Sequence, residues 1–255
     1  MIEHASLFVY IFLVVVALVA GFIDTLSGGG GLITLPAMLF TGMNPIAALG
    51  TNKLQSAIGE FSATLHFIRK SKVNYRILTM AFVYTIIGSS IGTALLQITP
   101  TDKLEKVIPF FLLAVLIYYV FSLNRKNEFY NQTLEPNNKK FLALGSSIGF
   151  YNGFFGPGTG SIWALALMKC FKLDLQKATM YAKPLNLAGN LTALSIFIVG
   201  GRVDYLAAIL MGIGSFTGGK LGAHFVMYKD VKLLKIIFLL FITLSTLGTF
   251  VKYYW

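Results

Sequence analysis

Lys53, Lys183 and Lys220 lie inside long apolar segments, where a charge needs a reason. Lys220 lies near a helix end, where we expect it to snorkel to the interface. Lys53 follows Ile46 by seven residues and Lys183 follows Gln176 by seven, so each is about 10 Å inside its segment if that segment is helical. A charge inside a bilayer costs about 2.5–3.5 kcal/mol on insertion scales. If the two segments enter from opposite faces, both ammonium groups converge near the midplane, where we expect them to bind an anion. Snorkelling of a lysine to the interface is the alternative.

Hydroxyl and amide groups accompany both lysines. Thr51, Asn52, Gln55 and Ser56 surround Lys53, and Asn186 and Asn190 lie three and seven residues after Lys183. Such donors bind an oxyanion without trapping it as a further fixed cation would, so we expect these side chains at the substrate site. Hydrogen bonding between helices is the other interpretation of the same residues.

Of the ten acidic residues, Asp24 and Glu60 lie well inside apolar segments, away from the segment ends. Glu60 lies seven residues after Lys53, so it is placed to pair with that lysine or to carry a coupled proton. Asp24 precedes a run of glycines and has two interpretations, coupling or capping of unwound backbone N–H groups. We favour capping.

Glycine runs interrupt two apolar regions, residues 7–42 and 141–171. Each glycine costs about 1 kcal/mol in a helix relative to alanine, so each region is predicted to form two helical pieces joined by a break. Helices restarting at Leu32 and Ser161 would direct N–H groups and positive dipole ends at an anion. Tight helix packing alone is the alternative. The predicted contributors to the anion site are Gly28, Gly29, Gly30, Gly31, Gly158, Thr159 and Gly160.

The composition places these segments in a membrane. The chain of 255 residues is 56% hydrophobic and 12% charged, and its mean hydropathy is +0.72. Soluble domains carry about 25% charged residues, so the prediction is an all-α polytopic membrane protein. The full-length spans, each about 20 residues as a bilayer requires, are predicted at 46–68, 76–98, 104–123, 176–199, 205–226 and 232–252.

The chain repeats itself. Lys53 matches Lys183 and Gly88 matches Gly218 at an offset of 130, and Asp24 matches Asn152 at 128. The repeats are predicted at 1–123 and 141–255, joined by a cytoplasmic linker at 124–140. A single helix over residues 7–42 would run about 54 Å, too long for a core of about 30 Å. We therefore expect a hairpin followed by three crossings, which inverts the second repeat.

The distribution of basic residues agrees with the inverted arrangement. With both termini outside, 14 Lys and Arg face the cytoplasm and 4 face outside, whereas parallel repeats give 10 against 8. Cytoplasmic loops carry the excess of basic residues in membrane proteins. The cytoplasmic set is Arg69, Lys70, Lys72, Arg76, Arg125, Lys126, Lys139, Lys140, Lys169, Lys172, Lys177, Lys229, Lys232 and Lys235. The net charge of +11 is thus mostly a topology signal, and we expect no nucleic-acid partner.

The sequence lacks the residue patterns that disulfides, metal sites and several common enzyme families require. A single cysteine excludes a disulfide framework, and three distant histidines disfavour a metal site. The sequence has no P-loop and no HExxH motif. We therefore expect no enzyme activity, no cofactor and no metal. The expected partners are a small anion and the lipid bilayer, and a homo-oligomer is left open.

The residues around the glycine runs resemble the sulfite exporter TauE/SafE family, the toluene-sulfonate uptake permeases. The resemblance rests on GFIDTLSGGGGLITLP at 21–36, ALGTNK at 48–53, GPGTG at 156–160 and the segment 178–183, and it covers essentially the whole chain. It implies a bacterial or archaeal inner-membrane transporter for small sulfur-containing anions such as sulfite, sulfoacetate or sulfonates.

Two inverted repeats with broken helices are a recurring transporter design, with the site at the midplane. We therefore expect a secondary anion transporter that works by alternating access. A passive anion channel is the alternative within transport, and a scaffold or sensor subunit is the alternative outside it.

Overall fold

The protein is all-helical across the part of the chain that the computed structural model describes, namely residues 7–71, 74–123, 134–228, 243, 246–252 and 254. Nine helices and one 3-10 turn at Tyr75–Leu78 follow one another in this part, with no strand. The helices are α1 Leu7–Ser27, α2 Gly31–Phe40, α3 Pro45–Lys70, α4 Thr79–Gln97, α5 Thr101–Leu123, α6 Asn138–Phe154, α7 Thr159–Phe171, α8 Leu175–Val199 and α9 Tyr205–Tyr228.

The predicted full-length spans correspond to single helices. The spans predicted at 46–68, 76–98, 104–123, 176–199 and 205–226 are α3, α4 with its 3-10 turn, α5, α8 and α9. Within the described ranges, α1, α4 with its turn, α8 and α9 are long and apolar enough to cross a membrane. The protein is thus a multi-pass membrane protein. Most of the span predicted at 232–252 and most of the 124–140 linker lie outside the described residues.

Both interrupted regions form two helices around a glycine-containing break, as predicted. The first break is residues 28–30, between α1 and α2, and the second is residues 155–158, between α6 and α7. Positive φ angles of 76° at Gly28, 97° at Gly156 and 84° at Gly158 explain the need for glycine, since L-residues avoid this region. The arms of the first hairpin are unequal, because α1 has 21 residues and α2 has 10.

The two halves pack reciprocally. Helix α1 packs along α9, and α6 packs along α4. A Cβ at Gly218 would lie 2.7 Å from the backbone nitrogen of Phe22, and one at Gly88 would lie 2.8 Å from that of Phe150. These contacts are equivalent under the repeat offsets, so each half makes the same close approach to the other. The GxxxG patterns therefore serve helix packing. The inversion of the halves across the membrane stays a prediction.

Large apolar side chains cover the outer surfaces of several helices. The outer face of α1 exposes Leu7, Phe8, Ile11, Phe12 and Val15. Extended apolar patches of this kind are unfavourable in water and suit contact with lipid tails. The polar side chains described next lie on the inner faces of the same helices.

Candidate functional site

The two breaks lie against each other at the centre of the protein. The backbone N–H of Ser161 donates to the carbonyl of Gly28 at 3.2 Å, and the Ser161 hydroxyl donates to the Ser27 carbonyl. A Cβ at Gly160 would lie 2.7 Å from the Cα of Gly28, which is closer than real side chains come. The backbones of the two halves thus meet here with no room for a side chain.

Some N–H groups assigned to an anion from the sequence have protein partners in the structure. The Ser161 N–H is bound by Gly28, and the Gly30 N–H donates to the carboxylate of Asp24 at 2.9 Å. The helices also begin slightly earlier than expected, at Gly31 and Thr159. Asp24 therefore caps unwound backbone, as the sequence favoured.

Lys183 binds the end of α1 from the opposite half. Its ammonium donates to the Asp24 carbonyl at 2.6 Å and to the Asp24 carboxylate at 2.5 Å. Lys183 is 1% exposed and the Asp24 side chain is 16% exposed, so the ammonium group of this ion pair is the more shielded from water. Asp24 lies one helical turn before the first break, and the contact therefore fixes where α1 ends.

Lys53 makes the equivalent contacts to the second half, but with neutral oxygens. Its ammonium donates to the carbonyl of Asn152 and to the side-chain oxygen of that residue at 2.8 Å. A third contact reaches the Asn190 side-chain oxygen at 3.3 Å. Lys53 is also 1% exposed. Thus each lysine binds a residue about one helical turn before the other half's break, and only Lys183 has a carboxylate in direct contact.

Glu60 closes a ring of hydrogen bonds with Lys53. Asn152 donates to Asn186 at 2.9 Å, Asn186 donates to one Glu60 oxygen, and Asn190 donates to the other at 2.9 Å. Asn152 and Asn190 both accept from Lys53, which completes the ring. We call these five residues the amide ring. The charges of Lys53 and Glu60 therefore interact through three amides and not by direct pairing.

A second polar network joins the first break to α3 and α9. The Asn52 side-chain oxygen accepts from the Thr34 hydroxyl and from the Gln55 amide, both at 2.8 Å. The Gln55 oxygen accepts from Ser215 at 2.5 Å. Ser56 accepts from the Gln55 amide at 2.8 Å. This network orients the face of α3 that turns toward the breaks.

A small cavity lies between α1, α3 and α9, beside both acidic residues. It has room for about one water molecule. Its lining combines two carboxylates with hydroxyl, amide and glycine groups: Ala20, Gly21, Asp24, Gly30, Gln55, Ser56, Gly59, Glu60 and Ser215. A solute larger than a water molecule does not fit this cavity.

The remaining predicted site residues lie around the breaks or away from the lysines. Thr51 lies away from the lysine contacts. Its hydroxyl accepts from the backbone N–H of Asp204 at 3.0 Å and so supports the start of α9. The Thr159 hydroxyl donates to the Gly156 carbonyl at 2.5 Å. Gly29 accepts from the Leu32 N–H. Gly31 packs on Pro157, and Gly158 on Val115.

Gln55 and Asn190, which the sequence marks as polar neighbours of the lysines, take part in these hydrogen bonds. Asn152 and Ser215 also take part but were not predicted as site residues. The repeat contains the signal for Asn152, which occupies the position of Asp24. No comparable signal marks Ser215, whose role depends on the rotation of α9. No group of His, Cys, Asp and Glu able to hold a metal occurs among the described residues.

The side chains at the junction of the two halves, which we call the polar centre, are Lys53, Lys183, Asp24 and Glu60 with the amides that contact them. The positive charges of the two lysines equal the negative charges of the two carboxylates. Unwound backbone at membrane depth is tolerated where it is buried in protein or lines a cavity, and the two breaks satisfy this condition. Such an arrangement offers ammonium, amide and hydroxyl donors to an anion and carboxylates to a cation.

The chain is similar to membrane transporters from several bacteria. The protein family described as "Sulfite exporter TauE/SafE" matches residues 13–249 of the chain. A probable membrane transporter protein of Haemophilus influenzae is 42% identical over 224 residues, covering 86% of each chain. The probable membrane transporter protein YfcA of Escherichia coli K12 is 38% identical over 220 residues, covering 86% of this chain and 81% of its own.

A more distant relative, the probable membrane transporter protein YunE of Bacillus subtilis, is 25% identical over 238 residues, covering 84% of this chain and 87% of its own. No solved structure matches the chain significantly. The family match spans most of the sequence, and the relatives are matched over most of their length. The chain is a membrane transporter and belongs to the sulfite exporter TauE/SafE family.

Proposed function

We propose that the protein is a secondary transporter of a small anion, of the sulfite, sulfoacetate or sulfonate type, working by alternating access. The observation that carries the proposal is the reciprocal contact of each buried lysine with the helix that leads into the break of the opposite half. A movement of one half against the other must change both contacts together. The substrate class rests on the family description, which names a sulfite exporter.

Lys53 is the lysine best suited to bind the anion. Its ammonium contacts only amide and carbonyl oxygens, and a negatively charged oxygen is a stronger partner than these. Lys183 already has the Asp24 carboxylate at 2.5 Å, so an anion would compete with a charge there. In this proposal Asn186 and Ser56 contribute neutral donors beside Lys53, and Lys183 positions the first break.

Counterflow in proteoliposomes tests the proposal. Vesicles loaded with unlabelled sulfite or a sulfonate should take up the labelled anion faster than empty vesicles, because a carrier exchanges substrates. A passive channel shows no such stimulation. Absence of uptake for every small sulfur anion would refute the substrate class. A scaffold or sensor subunit would show no uptake of any anion.

A thermal-shift screen chooses the anion for this assay. A ligand that binds only the folded protein raises its unfolding temperature by mass action. Sulfite, sulfate, thiosulfate, taurine and aryl sulfonates should be compared with chloride at equal ionic strength. The largest shift identifies the substrate to be used in counterflow.

A further inference from the structure

Glu60 is a buried carboxylate, and no ammonium group among the described residues is in direct contact with it. It is 2% exposed, and its oxygens accept from the amides of Asn186 and Asn190. Asp24 differs, because its carboxylate contacts Lys183 at 2.5 Å and the Gly30 N–H at 2.9 Å. Glu60 is therefore the carboxylate that can lose its charge without breaking an ion pair.

The charged groups that face Glu60 come from three helices. They are Asp24 on α1, Lys53 on its own helix α3, and Lys183 on α8. With Glu60 ionised, these four groups carry no net charge. Helix α6 contributes the neutral Asn152 to the amide ring, and α9 contributes the neutral Ser215 to the adjoining cavity.

An anion that enters this balanced centre adds an uncompensated negative charge. Burying an unpaired charge away from water is costly. Neutralising Glu60 leaves one positive charge on the two lysines, which a monoanion then balances. The binding of the anion and the protonation of Glu60 thus favour each other through the same charges.

The cavity beside Glu60 is the route by which we expect a proton to reach the carboxylate. Its polar lining and its room for about one water molecule suit a proton donor next to the carboxylate. Protonated Glu60 has one hydroxyl hydrogen to donate, and the Asn186 and Asn190 nitrogens cannot accept it. A water molecule in the cavity can accept this hydrogen bond.

We propose that Glu60 carries one proton with each monovalent anion, so that the protein is an anion–proton symporter. This proposal rests on the proposed transport function and adds the coupling ion. The proton joins the Glu60 carboxylate from the side to which the centre is open. It leaves to the other side with the anion, and the empty centre returns with Glu60 ionised.

Proteoliposomes with an imposed pH gradient test the coupling. The wild type should accumulate a monovalent anion on the alkaline side by about tenfold per pH unit, and a protonophore should abolish this accumulation. The Glu60→Gln variant should lose this accumulation, since its side chain is permanently neutral, and any counterflow that it shows should not respond to the pH gradient. The matched control is Glu135→Gln, which removes an exposed carboxylate and should accumulate like the wild type.

The outcomes separate the two proposals. Wild-type counterflow without a response to the pH gradient overturns the coupling and leaves the transport function standing. Gradient-driven accumulation by Glu60→Gln overturns the role of Glu60. Absence of wild-type counterflow with every anion removes the transport function itself.

A second measurement applies if Glu60→Gln does not transport. When the anion is added to the purified wild-type protein in weak buffer, the protein should take up about one proton from solution per anion bound, as linkage requires. The Glu135→Gln variant should do the same. Binding without proton uptake by the wild type would contradict the proposal.

Discussion

The ammonium of Lys183 lies 2.5 Å from the carboxylate of Asp24, a residue from the opposite half of the protein. Lys53 makes the same pair of contacts, to a backbone carbonyl and a side-chain oxygen, at the repeat-related Asn152. One contact is thus ionic and its counterpart is neutral. In the proposed function this difference makes Lys183 the structural lysine and Lys53 the lysine that binds the anion.

We expect Lys183→Met to destabilise the protein strongly. Removing one member of a buried ion pair leaves the other charge unpaired, at a cost of about 3–5 kcal/mol. Adding Asp24→Asn to this variant should recover part of the loss, because the substituted side chain is neutral, like that of Asn152 in the other half. Unfolding of the wild type, both single variants and the double variant in detergent measures the coupling between the two sites. Strictly additive losses would show that the pair does not stabilise the fold.

Anion binding should depend on Lys53 far more than on Lys220. Loss of a charged hydrogen bond costs about 1.5–3 kcal/mol, so Lys53→Met should weaken affinity about 10–100-fold. Lys220 is exposed on α9, and Lys220→Met should bind like the wild type. Equilibrium binding to the purified variants checks both. Equal effects of the two substitutions would remove Lys53 from the anion site.

The sequence predicts the helices well because hydropathy and glycine content act locally. The spans correspond to helices, and both breaks fall at the glycine runs. The partners of the polar side chains depend instead on helix rotation and crossing. Lys53 and Asn152 are 99 residues apart, and whether Glu60 or Asn152 receives that ammonium is decided by packing. The sequence identified the buried charges but left this choice open.

The repeat contained part of the missing information. Asn152 occupies the position of Asp24, so a contact made by Lys183 to one implies a contact by Lys53 to the other. This argument requires the two halves to exchange contacts, which the packing of α1 on α9 and of α6 on α4 shows. The sequence alone supplies the equivalence of positions but not the exchange.

Gly28→Ala should disrupt the junction of the breaks. A Cβ there would lie 2.7 Å from the Gly160 Cα, and the φ of +76° is unfavourable for alanine. Gly42 has a φ of +86° with nothing within 4 Å, so Gly42→Ala carries the backbone strain alone, about 1–2 kcal/mol. We expect Gly28→Ala to cost about 1–3 kcal/mol more because of overpacking, and to lose counterflow. Thermal unfolding and counterflow of both variants decide this, and similar losses would mean that the contact with Gly160 is unimportant.

The orientation of the halves gives a prediction that needs no substrate. If the second half is inverted, the 124–140 linker is cytoplasmic and the C-terminus is outside, with 14 basic residues on the cytoplasmic side and 4 outside. Lys53 and Lys183 then approach the centre from opposite faces, as a two-fold axis in the membrane plane requires. Reporter fusions active only in the cytoplasm should report in the linker and be silent at the C-terminus, and a fusion active only outside should give the reverse. The same fusion behaving alike at both places would make the halves parallel, because only an even number of crossings separates points on one side.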